Sequence, residues 1–229
     1  MKIWQVSEPG GSFHEIEMAT PRPAAEQVLV RIYASGVNPL DTKIRAGKAA
    51  HARQPLPAVL GVDMAGIVEE TGSGVTAFRP GDEVYGMVGG VGGVPGTLAE
   101  EAVVDAELLA HKPKNLSMRH AAALPLSVIT AWEGLVDRAK VHADQTVLIH
   151  AGAGGIGHVA VQIARAHGAK VFATVSPDKG KIAEGFGAIP IDYRSRTVEE
   201  YARPVPTGKD SISFTTRLAA QRWTPHSLP

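Results

Sequence analysis

A strand, a glycine turn and a helix follow one another in the middle of the chain. Residues 145–151 read QTVLIHA, an apolar strand, and a helical pattern begins at Ile156. Between them, Gly152, Gly154 and Gly157 satisfy G-x-G-x-x-G, in which the glycines permit a tight turn, a close pyrophosphate and close helix packing. The N-terminus of the helix attracts phosphates. We therefore predict a dinucleotide site at Gly152, Ala153, Gly154, Gly155, Ile156 and Gly157.

The composition excludes several other kinds of function. The 229 residues include 23 basic and 23 acidic side chains, so no net positive field attracts nucleic acid or anionic lipid. No apolar run is long enough to span a membrane, and the N-terminus turns polar too early for a secretion signal. The absence of cysteine excludes disulfides and cysteine-ligated zinc. We expect a cytoplasmic protein with small-molecule partners.

The first half of the chain has the pattern of a small β-barrel, which we assign to residues 1–120. β-Branched residues between Gly and Pro breaks predict strands at 28–33, 61–70, 82–87 and 98–104. Among these, the glycine-rich stretch 88–96 is interpreted as a flexible loop.

The second half has the alternating pattern of a parallel, doubly wound sheet, which we assign to residues 121–201. A helical stretch at 121–137 is interrupted by Pro125. Strands and helices then alternate, with strands at 146–150, 170–175 and 189–193 and helices at 156–167 and 179–186. From residue 202 to residue 229 the pattern fails, and we predict no strand there.

Several short segments, in order, are those of one known family. They are ASGVNPLD at 34–41, PAVLGVDMAG at 57–66, GDEVYG at 81–86, Thr130-Ala131, the glycine turn, and IDYR at 191–194. The chain resembles zinc-independent members of the medium-chain dehydrogenase/reductase superfamily, close to the NADPH-dependent quinone oxidoreductases. The resemblance implies an α/β fold with an N-terminal GroES-like β-barrel and a partial Rossmann sheet. It also implies hydride transfer from NADPH to a quinone or a similar acceptor.

The position of a zinc site is occupied by other residue types. Zinc alcohol dehydrogenases of the superfamily have a cysteine where this chain has Asn38, and a His-Glu pair where it has Val62 and Asp63. An amide and a valine do not hold zinc, so we predict no metal. Hydride transfer without a Lewis acid suits an acceptor that is already electron-poor, such as a quinone or an enone.

The resemblance also implies roles for single residues. It places Asn38 and Asp41 near nicotinamide and acceptor, in a cleft between the domains. As an alternative, Asn38 caps or turns the chain before Pro39, and Asp41 starts a helix that we predict at 42–46. Thr130 matches a cofactor contact, but a helical Thr often bonds its own backbone. The family often has a tyrosine in the loop after that first helix, and residues 47–55 contain none.

Charge favours NADP(H) over NAD. An NAD site usually has a carboxylate at the end of the second strand, where this chain has Ser176, and Asp178 comes two residues later. Lys179 and Lys181 are cations that compete for one 2′-phosphate role, unless both are merely solvated. Tyr193 matches a tyrosine that flanks this phosphate in the resembled enzymes.

The tail at 202–229 departs from the family, which continues with a fourth strand of the type F-D-I-V-Y-D-T-V-G-G. Codons exist for Asp210 onward that spell this strand in another frame, so we predict a frameshift between about Ala202 and Lys209. Loss of strands four to six would leave the strand at 146–150 as an exposed edge and favour aggregation. A family-like homodimer is then doubtful.

Two alternative functions remain for the chain. It could be a non-catalytic or inactive nucleotide-binding protein, or an enoyl reductase of the same superfamily.

Overall fold

The computed structural model describes residues 1–195, 200, 211–215 and 218–222. The chain divides into two compact units, Met1–Leu126 and Ser127–Pro229. Each unit has its own buried apolar cluster, around Met64 in the first and around Leu148 in the second. None of the helices in the described ranges combines the length and the apolar character that a bilayer span requires.

The first unit is a GroES-like β-barrel of antiparallel strands, as predicted. A five-stranded sheet runs in the order β7-β3-β5-β6-β8, with β3 (Gln27–Ser35), β5 (Asp63–Thr71), β6 (Glu83–Met87), β7 (Glu101–Asp105) and β8 (Ala110–His111). The central strands β3 and β5 bury Val28, Val30, Met64 and Val68 almost completely, which explains their run of apolar and β-branched residues.

A smaller sheet in the order β2-β1-β4 completes the strands of this unit. It contains β1 (Lys2–Val6), β2 (Phe13–Glu17) and β4 (Ala58–Val59). Helix α1 (Pro39–Arg45) follows β3, α2 (Met118–Ala122) packs on β5, and short 3₁₀ turns lie at Ala50–Ala52 and Ala106–Leu108.

The glycine-rich loop at 88–96, which the sequence predicts as flexible, makes several hydrogen bonds to neighbouring segments. Gly93 N–H donates to Gln54 Oε1 at 2.8 Å, and Gly92 N–H donates to the carbonyl of Ala52 at 2.8 Å. Gly96 N–H donates to the carbonyl of Val59 at 2.9 Å. The glycines at 90, 92 and 93 have positive φ, so this path needs residues without a side chain.

The second unit contains a partial Rossmann sheet, as predicted. Its strands β9 (Thr146–Ile149), β10 (Lys170–Val175) and β11 (Ile189–Asp192) are parallel, in the order β11-β10-β9. The connections are α4 (Gly157–Ala166) and a 3₁₀ turn at Pro177–Lys179 that leads into α5 (Gly180–Gly185). Pro125 begins α3 (Pro125–Trp132), since proline is tolerated in a first turn, and a π-helical stretch, Glu133–Arg138, follows.

Two strands in the tail correct the prediction that this segment contains none. We expected no strand after residue 202, but β12 (Ser211–Thr215) lies parallel to β9 and β13 (Leu218–Arg222) pairs antiparallel with β12. β9 is therefore not an edge strand: Ser211 pairs with Thr146, and Phe214 pairs with Ile149. Ile212 and Phe214 are buried, so two apolar residues at alternate positions are enough for a strand here. The rest of the predicted tail lies outside the described residues.

Candidate functional site

The glycine turn between β9 and α4 is fixed by contacts to β10. Ala151 has a positive φ of 54°, and its N–H donates to the Thr174 hydroxyl at 3.0 Å. Gly152 N–H donates to the carbonyl of Thr174 at 3.0 Å. A Cβ on Gly152 would lie 2.4 Å from the Cβ of Ala173, so only glycine allows the turn this close to β10.

The remaining glycines of the turn have different surroundings. A Cβ on Gly157 would lie 2.1 Å from the carbonyl oxygen of Ala151, so this glycine lets α4 begin directly against the turn. A Cβ on Gly154 would lie 3.1 Å from the same oxygen, and one on Gly155 would meet no atom within 4 Å. The protein's own packing thus explains Gly152 and Gly157 but leaves open space at Gly155.

His158 holds the turn from the helix side. Its backbone N–H and its Nδ1 both lie within hydrogen-bond distance of the Gly154 carbonyl oxygen, at 3.0 and 2.9 Å. A carbonyl accepts, so the geometry requires a proton on Nδ1. Because the Gly154 carbonyl is directed toward α4, the N–H of Gly155 in the same planar peptide is directed away from the helix. Sequence reasoning missed this role of His158.

The residues predicted to contact a 2′-phosphate lie near the ends of β10 and β11. Ser176 directly follows β10, and Tyr193 follows β11 with its N–H 3.4 Å from the carbonyl of Val175, so both emerge at the same edge of the sheet. Lys179 ends the 3₁₀ turn and Lys181 lies in α5, and both are exposed. Thr130 is half-buried in α3.

In the first unit, three polar side chains meet at the start of α1. Asn38 is the N-cap, and its N–H donates to Asp41 Oδ2 at 2.7 Å, which satisfies a helix-end donor. The Asn38 side-chain amide donates to Asp63 Oδ2 at 2.9 Å. The helix begins at Pro39, three residues before the predicted start at residue 42.

Asp63 connects distant segments of this unit. Its Oδ1 accepts from the N–H of Leu126 at 3.0 Å, and its carbonyl oxygen accepts from the Thr97 hydroxyl at 3.0 Å. Asp63 is completely buried at the start of β5. Sequence reasoning treated it only as a replaced zinc position and missed that it orients Asn38.

Burial perturbs both carboxyl groups of this cluster. It raises the pKa of Asp63 to about 6, although hydrogen bonds from Asn38 and Leu126 oppose the shift and the charge of Asp41 adds to it. Burial also raises the pKa of Asp41, against hydrogen bonds from the backbone N–H groups of Asn38 and Gly61. Among the described residues, Asp41 Oδ1 accepts no hydrogen bond of normal geometry.

Among the residues that the structure describes, no three His, Cys, Asp or Glu side chains lie close enough together to hold a metal ion. Val62 is completely buried and has no donor atom to offer a cation. The side-chain amide of Asn38 is engaged by Asp63. The chemistry of this donor set therefore does not fit zinc.

One family model matches the first unit, and whole-chain relatives match residues of both units. The alcohol dehydrogenase GroES-like domain family matches residues 24–114. An NADPH-dependent alkenal/one oxidoreductase of Arabidopsis thaliana is 40% identical over 210 residues, which cover 87% of this chain and 54% of that protein. The quinone oxidoreductase of Mus musculus is 40% identical over 182 residues, which cover 79% of this chain and 53% of that protein. The chain spans about half the length of these curated relatives.

Solved structures extend the similarity over most of the residues of both units. An alcohol dehydrogenase superfamily protein from Novosphingobium aromaticivorans is 57% identical with a TM-score of 0.87, over 89% of this chain and 62% of that one. Escherichia coli quinone oxidoreductase, solved with NADPH, is 31% identical with a TM-score of 0.76, over the same shares. The Arabidopsis, mouse and Escherichia coli relatives are oxidoreductases by name. The chain belongs to the medium-chain dehydrogenase/reductase superfamily.

Proposed function

We propose that this chain binds NADPH at its glycine turn and reduces a quinone, or a similar electron-poor acceptor conjugated to a carbonyl, without zinc. The observation that carries the proposal is the open space at Gly155, beside a turn whose other glycines are closely packed. Phosphate oxygens approach backbone N–H groups closely only where no side chain intervenes. The turn and the N-terminus of α4 thus fit a pyrophosphate.

We assign the remaining cofactor contacts to residues near the turn in the sequence or at the same sheet edge. Ala153 and Ile156 complete the backbone of the pyrophosphate site, and Thr130 contacts the nucleotide. Ser176, with Lys179 or Lys181, binds the 2′-phosphate, and Tyr193 flanks it. The relative from Arabidopsis and the structure from Escherichia coli, whose names include NADPH, support NADPH as the cofactor.

The acceptor class follows from the chemistry of the first unit. NADPH would supply a hydride, and a proton from solvent would complete the two-electron reduction. Asn38 and Asp41 would lie beside the acceptor, with the Asn38 amide oriented by Asp63. Because Asn38 and Val62 do not suit zinc, this position supplies no Lewis acid to activate a simple ketone, and we expect an acceptor that is already electron-poor.

Enones are the second candidate class. The Arabidopsis relative is named for alkenals and alkenones, and it matches a larger share of this chain than the mouse quinone oxidoreductase does. A quinone is itself a cyclic conjugated enone, so both classes offer a carbon atom that accepts hydride. Direct comparison of the two acceptors decides between them.

The experiment measures NADPH consumption by the full chain with a benzoquinone, an open-chain enone or a saturated ketone, each with and without a chelator. Oxidation with the quinone or the enone, unchanged by the chelator, is expected, and the saturated ketone should not react. Asn38→Ala should lower kcat with little change in the Kd for NADPH, whereas exposed Asn115→Ala should change neither. NADPH binding without reduction of any acceptor favours a non-catalytic protein, and absence of binding overturns the proposal.

A further inference from the structure

Two oppositely charged side chains lie at the sheet edge where the predicted 2′-phosphate site is found. β10 and β11 are parallel, and Val175 pairs with Asp192, so the residues that follow these two strands emerge side by side. Asp178 lies in the turn after β10, and Arg194 follows β11. Our predicted cofactor contacts include neither residue.

Arg194 is held at this edge by its neighbours. Its guanidinium carbon lies 5.8 Å from the centroid of the Tyr193 ring. The backbone N–H of Arg194 donates to Asp192 Oδ1 at 2.9 Å. A hydrogen bond with the Tyr193 side chain raises the pKa of Arg194, and the negative charges of Asp178 and Asp192 raise it further. The arginine is therefore cationic, exposed and restrained beside the end of β10.

Asp178 has the opposite charge on the same edge. A hydrogen bond from Ser176 lowers its pKa, and the positive charges of Lys179 and Arg194 lower it further. Asp178 is exposed and ionised at neutral pH. A carboxylate near the end of the second strand is the group that accepts a hydrogen bond from a ribose 2′-hydroxyl, whereas an arginine nearby accommodates a 2′-phosphate.

We propose that Arg194 and Asp178 form an opposed pair that sets the choice between a 2′-phosphate and a free 2′-hydroxyl, with Arg194 as a further phosphate-binding residue. A 2′-phosphate competes with Asp178 for Arg194 and is repelled by the Asp178 carboxylate. A 2′-hydroxyl leaves the Asp178–Arg194 attraction in place and donates to Asp178. The pair thus moderates NADPH preference instead of maximising it. The inference rests on the proposed nucleotide site and adds the source of its selectivity.

The test measures Kd for NADPH and for NADH with the full chain and with Arg194→Gln and Asp178→Asn. Arg194→Gln should weaken NADPH binding roughly tenfold, about 1.4 kcal/mol, and change NADH binding little. Asp178→Asn should strengthen NADPH binding and weaken NADH binding, each by roughly threefold, since it removes both the repulsion and the acceptor. The ratio of the two Kd values is a readout that a loss of stability alone would not move selectively.

Matched controls separate local contacts from net charge. Exposed Arg119→Gln and Asp137→Asn change the net charge identically and should leave the Kd ratio as in the parent chain. 2′,5′-ADP and 5′-AMP, which lack nicotinamide, should reproduce the pattern because they differ at the 2′-phosphate alone.

Four results would overturn the opposed pair or the proposed nucleotide site. An unchanged Kd ratio in Arg194→Gln, or a shift of Asp178→Asn toward NADH, overturns the opposed pair while the proposed function stands. Preference of the parent chain for NADH overturns the pair and the choice of NADPH together. Failure of the parent chain to bind any of the four nucleotides overturns the proposed function and this inference with it.

Discussion

The side-chain amide of Asn38 lies 2.9 Å from Asp63 Oδ2, and this contact joins the start of α1 to the start of β5. The second oxygen of the same carboxylate accepts from the N–H of Leu126 in α3. One buried carboxylate thus holds three segments that are far apart in the sequence. Its charged state should therefore affect stability directly.

Asp63 predicts a definite pH dependence of stability. Burial raises its pKa to about 6 in the folded chain, above the ordinary value of 3.8. The folded state therefore holds this proton more tightly, and the contribution to the free energy of unfolding is full below about pH 4 and is lost as the pH rises to about 6. Asp63→Asn should remove this dependence.

This pH dependence can be measured by urea unfolding of the parent chain and of Asp63→Asn at pH values from 4 to 7. The stability of the parent chain relative to the variant should increase by about 2 kcal/mol as the pH falls across this range. Exposed Asp137→Asn should show no such change. A constant difference between the parent and Asp63→Asn, or one with the opposite sign, would mean that Asp63 is not the titrating group.

Two glycines of the turn should matter for folding regardless of any ligand. A methyl group at Gly157 would press on the Ala151 carbonyl oxygen, and one at Gly152 would press on Ala173. We expect Gly157→Ala and Gly152→Ala to lower the free energy of unfolding by about 1–3 kcal/mol each. Gly185→Ala, where a methyl group meets no atom within 4 Å, should be nearly neutral. Equal denaturation midpoints for all three variants would contradict this packing.

The predicted frameshift is tested on the gene. Its nucleotides from the Asp210 codon onward should spell F-D-I-V-Y-D-T-V-G-G-T-T-L-D-A-S-F in the shifted frame. Codons that spell another sequence would end the hypothesis. The pairing of β12 with β9 does not depend on the outcome, because Ile212 and Phe214 already supply the buried side chains that this strand needs.

The parts of the fold that were predictable are those with a strong local signal. β10 was predicted with the bounds that it has, because Val171, Phe172, Ala173 and Val175 form a short apolar run that is buried on both faces. β12 was missed because its alternation is short and its partner β9 lies some sixty residues earlier in the chain. Its stability comes from that pairing and not from local preference.

The site was predictable in the same uneven way. The glycine spacing predicts the turn, and the resemblance of segment 34–41 to a family motif points to Asn38 and Asp41, because both signals lie in neighbouring residues. The Asn38–Asp63 and Thr97–Asp63 contacts join residues that are distant in the sequence, and no spacing rule indicates them. Arg194 and Asp178 come to the same sheet edge only because β10 and β11 pair in parallel.

The most direct test is to measure NADPH binding to the parent chain, to Gly155→Ala and to Gly185→Ala by calorimetric titration. Both substitutions place a methyl group where the protein leaves open space, so both variants should fold and melt like the parent chain. The account predicts that Gly155→Ala weakens NADPH binding at least roughly tenfold, about 1.4 kcal/mol, while Gly185→Ala binds normally. Equal affinity of all three proteins for NADPH would contradict a pyrophosphate site at this turn.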